Sequence, residues 1–181
     1  IGPHDCQGHG THCAGTVGGK LYGVAKKVKL IPVRVLGCSG SGSGGSTIKG
    51  IEWVISQVKS GKVKRPAIAS MSLGSGYSAA SNAAVAALVA AGITTVVAAG
   101  NDNQDACGSS PASEPTAITV GASDPGDKKA GFSNHGPCLD IYAPGTKITS
   151  ANHNDNTGYN EKQGTSMACP AVAGVAALAA Q

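Results

Sequence analysis

AIASMSLGSGYSAASNAAVAALVAAGITTVVAA, residues 67–99, decides the fold. It opens on a short, mainly apolar run (67–73) and breaks at Gly74-Ser75-Gly76. An Ala-rich helical stretch follows, which Ser81 or Asn82 can cap and which Gly92 stops in the position favoured just after a last turn. A second, almost wholly apolar run fills 93–99. Short runs apolar on both faces are what a sheet covered by helices on each side requires. Upstream, residues 30–36 (LIPVRVL) predict another buried strand, followed by a Gly/Ser stretch from Gly37 to Gly45. Ser46 or Thr47 then caps a helix with Ile48, Ile51, Val54, Ile55 and Val58 at helical spacing, ended by Gly61 and Pro66. Downstream, residues 117–122 predict a fourth strand. A last helix is expected from near Thr165 to the chain end, with Pro170 near its first turn, where a missing N–H costs least. Strands alternating with helices imply right-handed crossovers and a parallel sheet. The fold class is α/β, in one domain, without internal repeat or dividing linker.

The composition agrees and narrows the field. The 181 residues are 41% hydrophobic, with 27 Gly but only one Trp, four Tyr and one Phe. That excludes a chain too polar to collapse, and the glycines lack a collagen period. A core built from Ala, Val, Ile and Leu favours close sheet–helix packing. The net charge of +4 comes with two basic stretches, Lys20, Lys26, Lys27 and Lys29, and Lys59, Lys62, Lys64 and Arg65. Neither carries the interleaved aromatics or recognition helix of a nucleic-acid binder, so they read as solvated element ends. No membrane partner is expected either: residues 164–181 are uncharged but Ala/Gly-rich, carry Pro170, and are marginally short for a bilayer.

Three constellations could carry chemistry. Gly40, Gly42 and Gly45 satisfy GxGxxG between a predicted strand and a predicted helix, the context of a dinucleotide loop. That reading needs an acid about 20 residues on to bind a ribose hydroxyl. No Asp or Glu stands between Glu52 and Asp102, so the segment is a loose glycine-rich loop. His9, His12 and Cys13, with His4 and Cys6 close by, raise a zinc site, but their spacing fits no zinc motif. Ser166 opens the last helix. It can be a plain N-cap, or a nucleophile at the positive helix end where backbone N–H groups stabilise an oxyanion. A serine hydroxyl needs a base beside it, which His9 could supply.

Taken together, His9-Gly10-Thr11-His12-Cys13-Ala14-Gly15-Thr16, Ala98-Ala99-Gly100-Asn101 and Gly164-Thr165-Ser166-Met167-Ala168-Cys169-Pro170 resemble the active-site blocks of subtilisin-like serine proteases, in order and context. Within them the chain is similar to the proteinase K branch. Tyr22-Gly23-Val24-Ala25, Ser72-Leu73-Gly74, Ser110-Pro111-Ala112-Ser113-Glu114-Pro115 and Thr119-Val120-Gly121-Ala122-Ser123 agree, so the likeness covers nearly the whole chain. The resemblance implies a three-layer α/β fold, incomplete here, and a secreted endopeptidase acting as a monomer on polypeptide substrates. His9 would be the base and then the acid, Ser166 the nucleophile, and the Asn101 amide with the Ser166 N–H the oxyanion hole. Gly40, Ser41 and Gly42, and opposite them Ser72, Leu73 and Gly74, would pair with an extended peptide. Ala98, Ala99 and Gly100 would line the pocket for an apolar or aromatic residue before the cut.

The departures are informative. The family's catalytic Asp belongs on an early strand ahead of the His block, yet Asp5 is the sole acid before Glu52 and falls where relatives carry a polar loop residue. The resemblance therefore makes residues 1–181 a partial catalytic domain, lacking N-terminal and C-terminal portions and nearly inactive alone. A pseudoprotease or peptide-binding module on the same fold is the alternative. Six cysteines allow 15 complete pairings. The resemblance, aqualysin-like in this respect, selects Cys6 with Cys38 and Cys107 with Cys138, leaving Cys13 and Cys169 as buried thiols. It implies no cofactor for catalysis, but a structural calcium ion on the carbonyls of Pro115 and Ala117 and the carboxylate of Asp140.

Overall fold

The computed structural model describes residues 4–180. In chain order the elements are α1 (His9–Gly18), α2 (Gly44–Lys59), β1 (Ile68–Met71), β2 (Ser75–Gly76), α3 (Ala79–Ala90), β3 (Thr94–Ala98), β4 (Ser109–Ser110) and β5 (Ile118–Ser123). β6 (Ile141–Pro144), β7 (Ile148–Ala151), β8 (Tyr159–Lys162) and α4 (Thr165–Ala179) complete it. Four strands form a parallel sheet in the order β1-β3-β5-β6. Two small antiparallel pairs, β2–β4 and β7–β8, stand beside it.

Alternate residues of the sheet serve opposite layers. Val96, Ala98, Val120 and Ala122 pack against Ala168, Cys169 and Ala173 of α4. Met71, Val97 and Ile93 pack against Ile51 and Val58 of α2 and Val85 and Leu88 of α3. Covering both faces in this way explains the continuous apolar runs. Complete burial of side chains such as Leu88, Val96 and Val97 contributes roughly 1.5–3 kcal/mol each. Ala dominates α4, which lies directly on the sheet.

Two helices start earlier than their sequence signals suggested. Ser43 caps α2, its hydroxyl accepting the Ser46 N–H at 3.1 Å, so Gly44 and Gly45 belong to the helix. Ser78 caps α3 through the Ser81 N–H at 3.3 Å. Gly92 has φ 74° just beyond α3, the left-handed turn that its position predicted. Pro170 stands inside α4, in its second turn rather than its first.

The strand expected at residues 30–36 does not form. A cleft of ≈ 1220 Å³, lined by Leu30, Val33 and Val35 on one wall and Ile68, Ser70 and Ser72 on the other, lies where a pairing strand would stand. Leu30, Ile31 and Val33 are 42, 40 and 37% exposed. An apolar run makes a strand only where a neighbour takes its backbone hydrogen bonds, and this one has no such neighbour among the described residues. Among the described residues β1 has β3 on one side and no strand on the other.

Candidate active site

α1 begins on Gly8, which has no capping side chain. The cap comes from upstream. Asp5 Oδ1 accepts the N–H groups of Gln7 (2.9 Å) and Gly8 (2.7 Å), and Oδ2 accepts the N–H and hydroxyl of Thr11 (2.8 and 2.7 Å). Gln7 Oε1 takes the His9 N–H at 2.8 Å. The first turn, and with it His9, is therefore fixed by side chains. Burial opposes ionisation of Asp5, but the bonds from Gly8, Thr11 and Gln7 outweigh it and hold the carboxyl well below the usual range. With both oxygens committed, Asp5 acts as a cap and does not orient the His9 imidazole. Asp5→Ala is expected to cost about 1 kcal/mol at neutral pH, a typical capping loss. Because the folded pKa is depressed, that difference is present above pH ~4 and fades as pH falls below it. Urea unfolding of both forms across that range checks it.

His12, three residues after His9 on α1, is fully buried. Its Nε2–H is directed to the carbonyls of Ile148 (3.0 Å) and Asn160 (3.2 Å), tying α1 to the β7–β8 hairpin. The disulfide that consumes Cys6 removes one of the ligands the zinc reading needed. Among the described residues no group of three or more His, Cys, Asp or Glu could hold a metal. The hairpin leads into α4, with Ser166 as its second residue. Burial, with the charge of Lys162 second, lowers the pKa of His9. The Asp5 charge acts the other way, and His12 adds to the lowering.

His9 and Ser166 face one cleft of ≈ 450 Å³, with Gly40, Ser41 and Gly42 on one rim and Ser72, Leu73 and Gly74 on the other. Asn101 sits just past β3. Its Oδ1 accepts the N–H and hydroxyl of Thr165 (2.8 and 3.1 Å), while Thr165 Oγ1 accepts the Gly100 N–H at 3.2 Å. These bonds clamp Asn101 to the start of α4 and leave its NH₂ group as the available end. Gly100 has φ 105°, and a Cβ there would run into the Asn134 side chain, so the turn into Asn101 requires glycine. Ala98 and Ala99 are buried at the end of β3; neither they nor Gly100 and Asn101 belong to the lining of this cleft, and Asn101 meets Ser166 only through the Thr165 clamp beside it.

Both expected disulfides are present, Cys6–Cys38 (Cα–Cα 5.1 Å) and Cys107–Cys138 (5.3 Å). The first joins the His9 loop to the rim carrying Gly40. Cys13 and Cys169 are free thiols. Burial pushes Cys13 up to about 12 and Cys169 up to about 11, so both stay protonated. Asp140 Oδ2 accepts the Thr119 N–H at 2.7 Å, which places its carboxylate beside the turn bearing Pro115 and Ala117. Oδ1 has no protein partner among the described residues. One carboxylate and two backbone carbonyls are hard oxygen donors of the kind calcium accepts. The sequence reading missed the capping role of Asp5 and the Thr165 clamp. It also missed the Ser72 hydroxyl, which donates to Ser166 O at 2.8 Å.

With this geometry in place, the comparisons with known proteins are unambiguous. The subtilase family model matches residues 2–181, and the chain belongs to the subtilase family. It is 57% identical over 174 residues to an extracellular serine proteinase of Thermus sp. (strain Rt41A), covering 96% of this chain and 41% of that protein. It is 52% identical over 174 residues to alkaline serine exoprotease A of Vibrio alginolyticus, covering 96% of this chain and 31% of that one. The crystal structure of a cold adapted subtilisin-like serine proteinase superposes with a TM-score of 0.92 at 49% identity, over 97% of this chain and 62% of that chain. The fold is thus the subtilisin-like α/β fold. The chain spans less than half the length of these two sequence relatives.

Proposed function

We propose that this chain is the greater part of the catalytic domain of a secreted serine endopeptidase that cuts exposed or unfolded polypeptide. The carrying observation is the single cleft into which two helix starts deliver His9 and Ser166, rimmed by two glycine-containing segments suited to an extended peptide. In the proposed reaction Ser166 Oγ adds to the scissile carbonyl carbon while its proton passes to His9 Nε2. The Asn101 NH₂ and the Ser166 N–H receive the developing oxyanion. The C–N bond then breaks, the amine leaves with the proton from His9, and water repeats the sequence to release the acyl group.

The triad's third member is proposed to come from outside residues 1–181. The ≈ 1220 Å³ cleft has along one wall the edge of β1 that no strand pairs among the described residues, and His9 and Cys13 are among its lining. A carboxylate-bearing strand seated there would complete the sheet and reach the base. Two disulfides support an oxidising, extracellular setting, and the Thermus relative is named as extracellular. No helix among the described residues is long and apolar enough to cross a membrane.

Fluorophosphonate labelling of the full-length protein tests the reading. Stoichiometric modification of Ser166, lost in Ser166→Ala, is expected; a folded, mature protein that does not label would be a peptide-binding module instead. Calcium at Pro115, Ala117 and Asp140 is likewise proposed, as a structural ion. Added calcium is expected to raise Tm by several degrees, and Asp140→Asn to abolish the rise, as read by differential scanning calorimetry. An equal rise in both proteins would place the ion elsewhere.

A further inference from the structure

Pro170 lies four residues after Ser166, inside α4. In a regular helix the N–H of residue 170 would bond the carbonyl of residue 166. Proline has no N–H, so the carbonyl of the proposed nucleophile loses its helical partner. A buried carbonyl left unpaired is costly, and here it is not left so. Ser72 Oγ donates to Ser166 O at 2.8 Å, and Cys13 Sγ donates to the same oxygen at 3.3 Å. Cys13 can donate because burial keeps its thiol protonated. The two donors come from different parts of the fold. Ser72 follows β1 on the groove rim, while Cys13 lies one turn along α1 from His9, its sulfur 3.9 Å from His9 Nε2.

We propose that Ser72, assisted by Cys13, is a positioning residue for Ser166, its hydroxyl replacing the helix hydrogen bond that Pro170 removes. The inference rests on the protease reading above. Through this one oxygen the nucleophile's backbone is held to the groove rim and to the helix of the base. Ordinary helical bonding would fix Ser166 only relative to its own helix. The external donors fix it relative to its reaction partners, where an error of about 1 Å can cost a hundredfold in rate. Ser72 thus acts twice: its backbone edge faces the peptide, and its side chain sets the nucleophile.

The experiment is a mutant cycle in the full-length protein with a peptide amide substrate, together with fluorophosphonate acylation rates. Ser72→Ala is expected to lower kcat and the acylation rate about tenfold with KM within about twofold. Ser72→Thr, which keeps the hydroxyl, should retain most of the activity. Pro170→Ala returns an N–H to the Ser166 carbonyl, so in the Ser72→Ala background it should recover much of the loss. Additive losses in that double variant, or an effect of Ser72→Ala confined to KM, would overturn the proposal. Should Ser72→Ala not fold, Ser72→Cys, a weaker donor of similar size, is expected to give an intermediate kcat, and an unchanged kcat would count against it. Wild-type protein that fails to label would instead overturn the protease reading, which keeps the two failures apart.

Discussion

Residues 1–181 alone are expected to hydrolyse a peptide amide about 10⁴-fold more slowly than a longer form that seats a carboxylate beside His9. Asp5 is the only acid in the sequence before Glu52, and its oxygens are spent on Gln7, Gly8 and Thr11. Among the described residues no carboxylate is hydrogen-bonded to the His9 ring. Without such a partner the imidazole is free to take the wrong tautomer, and the imidazolium formed during attack lacks a counter-charge. Burial and Lys162 already disfavour that cation. The check is steady-state kcat on the two forms, each shown folded by circular dichroism and by both disulfides being intact. The slow reaction left in the short form would come from the oxyanion donors. Equal turnover would mean that the chain needs no third member and would remove the reason for placing a strand in the slot.

Replacing Asn101 should cost about 10²–10³ in kcat with little change in KM, the magnitude known for an oxyanion donor in this family. Asn101 has two duties that different variants separate. Asn101→Leu removes the donor and also the Oδ1 that accepts the Thr165 N–H and hydroxyl. Asn101→Asp keeps an oxygen for Thr165 but puts a negative charge where an NH₂ group should meet a forming oxyanion. If the amide is the catalytic end, the Asp variant loses at least as much kcat as the Leu variant while melting closer to wild type. An Asp variant with near-normal turnover would limit Asn101 to holding Thr165. Pre-steady-state acylation in the full-length protein reads this directly.

The sheet and its covering helices were legible because both-face burial leaves continuous apolar runs, and four predicted segments lie within a residue or two of β1, β3, β5 and α4. Helix starts were less legible. Ser43 and Ser78 cap α2 and α3, but neighbouring serines offered the same signal, and only the backbone path chooses among them. Residues 30–36 expose the limit of pattern reading, since a strand depends on a partner that its own sequence cannot supply. The cleft residues His9 and Ser166 were visible through block order. Thr165 and the side chain of Ser72 were not, because they act by hydrogen bonds to main chain far away in sequence. A signal for Ser72 was nevertheless present: Pro170, four residues after Ser166, announces an orphaned carbonyl that some other donor must satisfy.

The flank of β1 that no strand covers among the described residues also has a colloidal consequence. Unpaired strand edges next to exposed Leu30, Ile31 and Val33 are templates for another copy's strand. In concentrated solution residues 1–181 should associate edge to edge, so their apparent solubility would track how well that flank is sealed. Turbidity could then report sheet completion before any substrate is added.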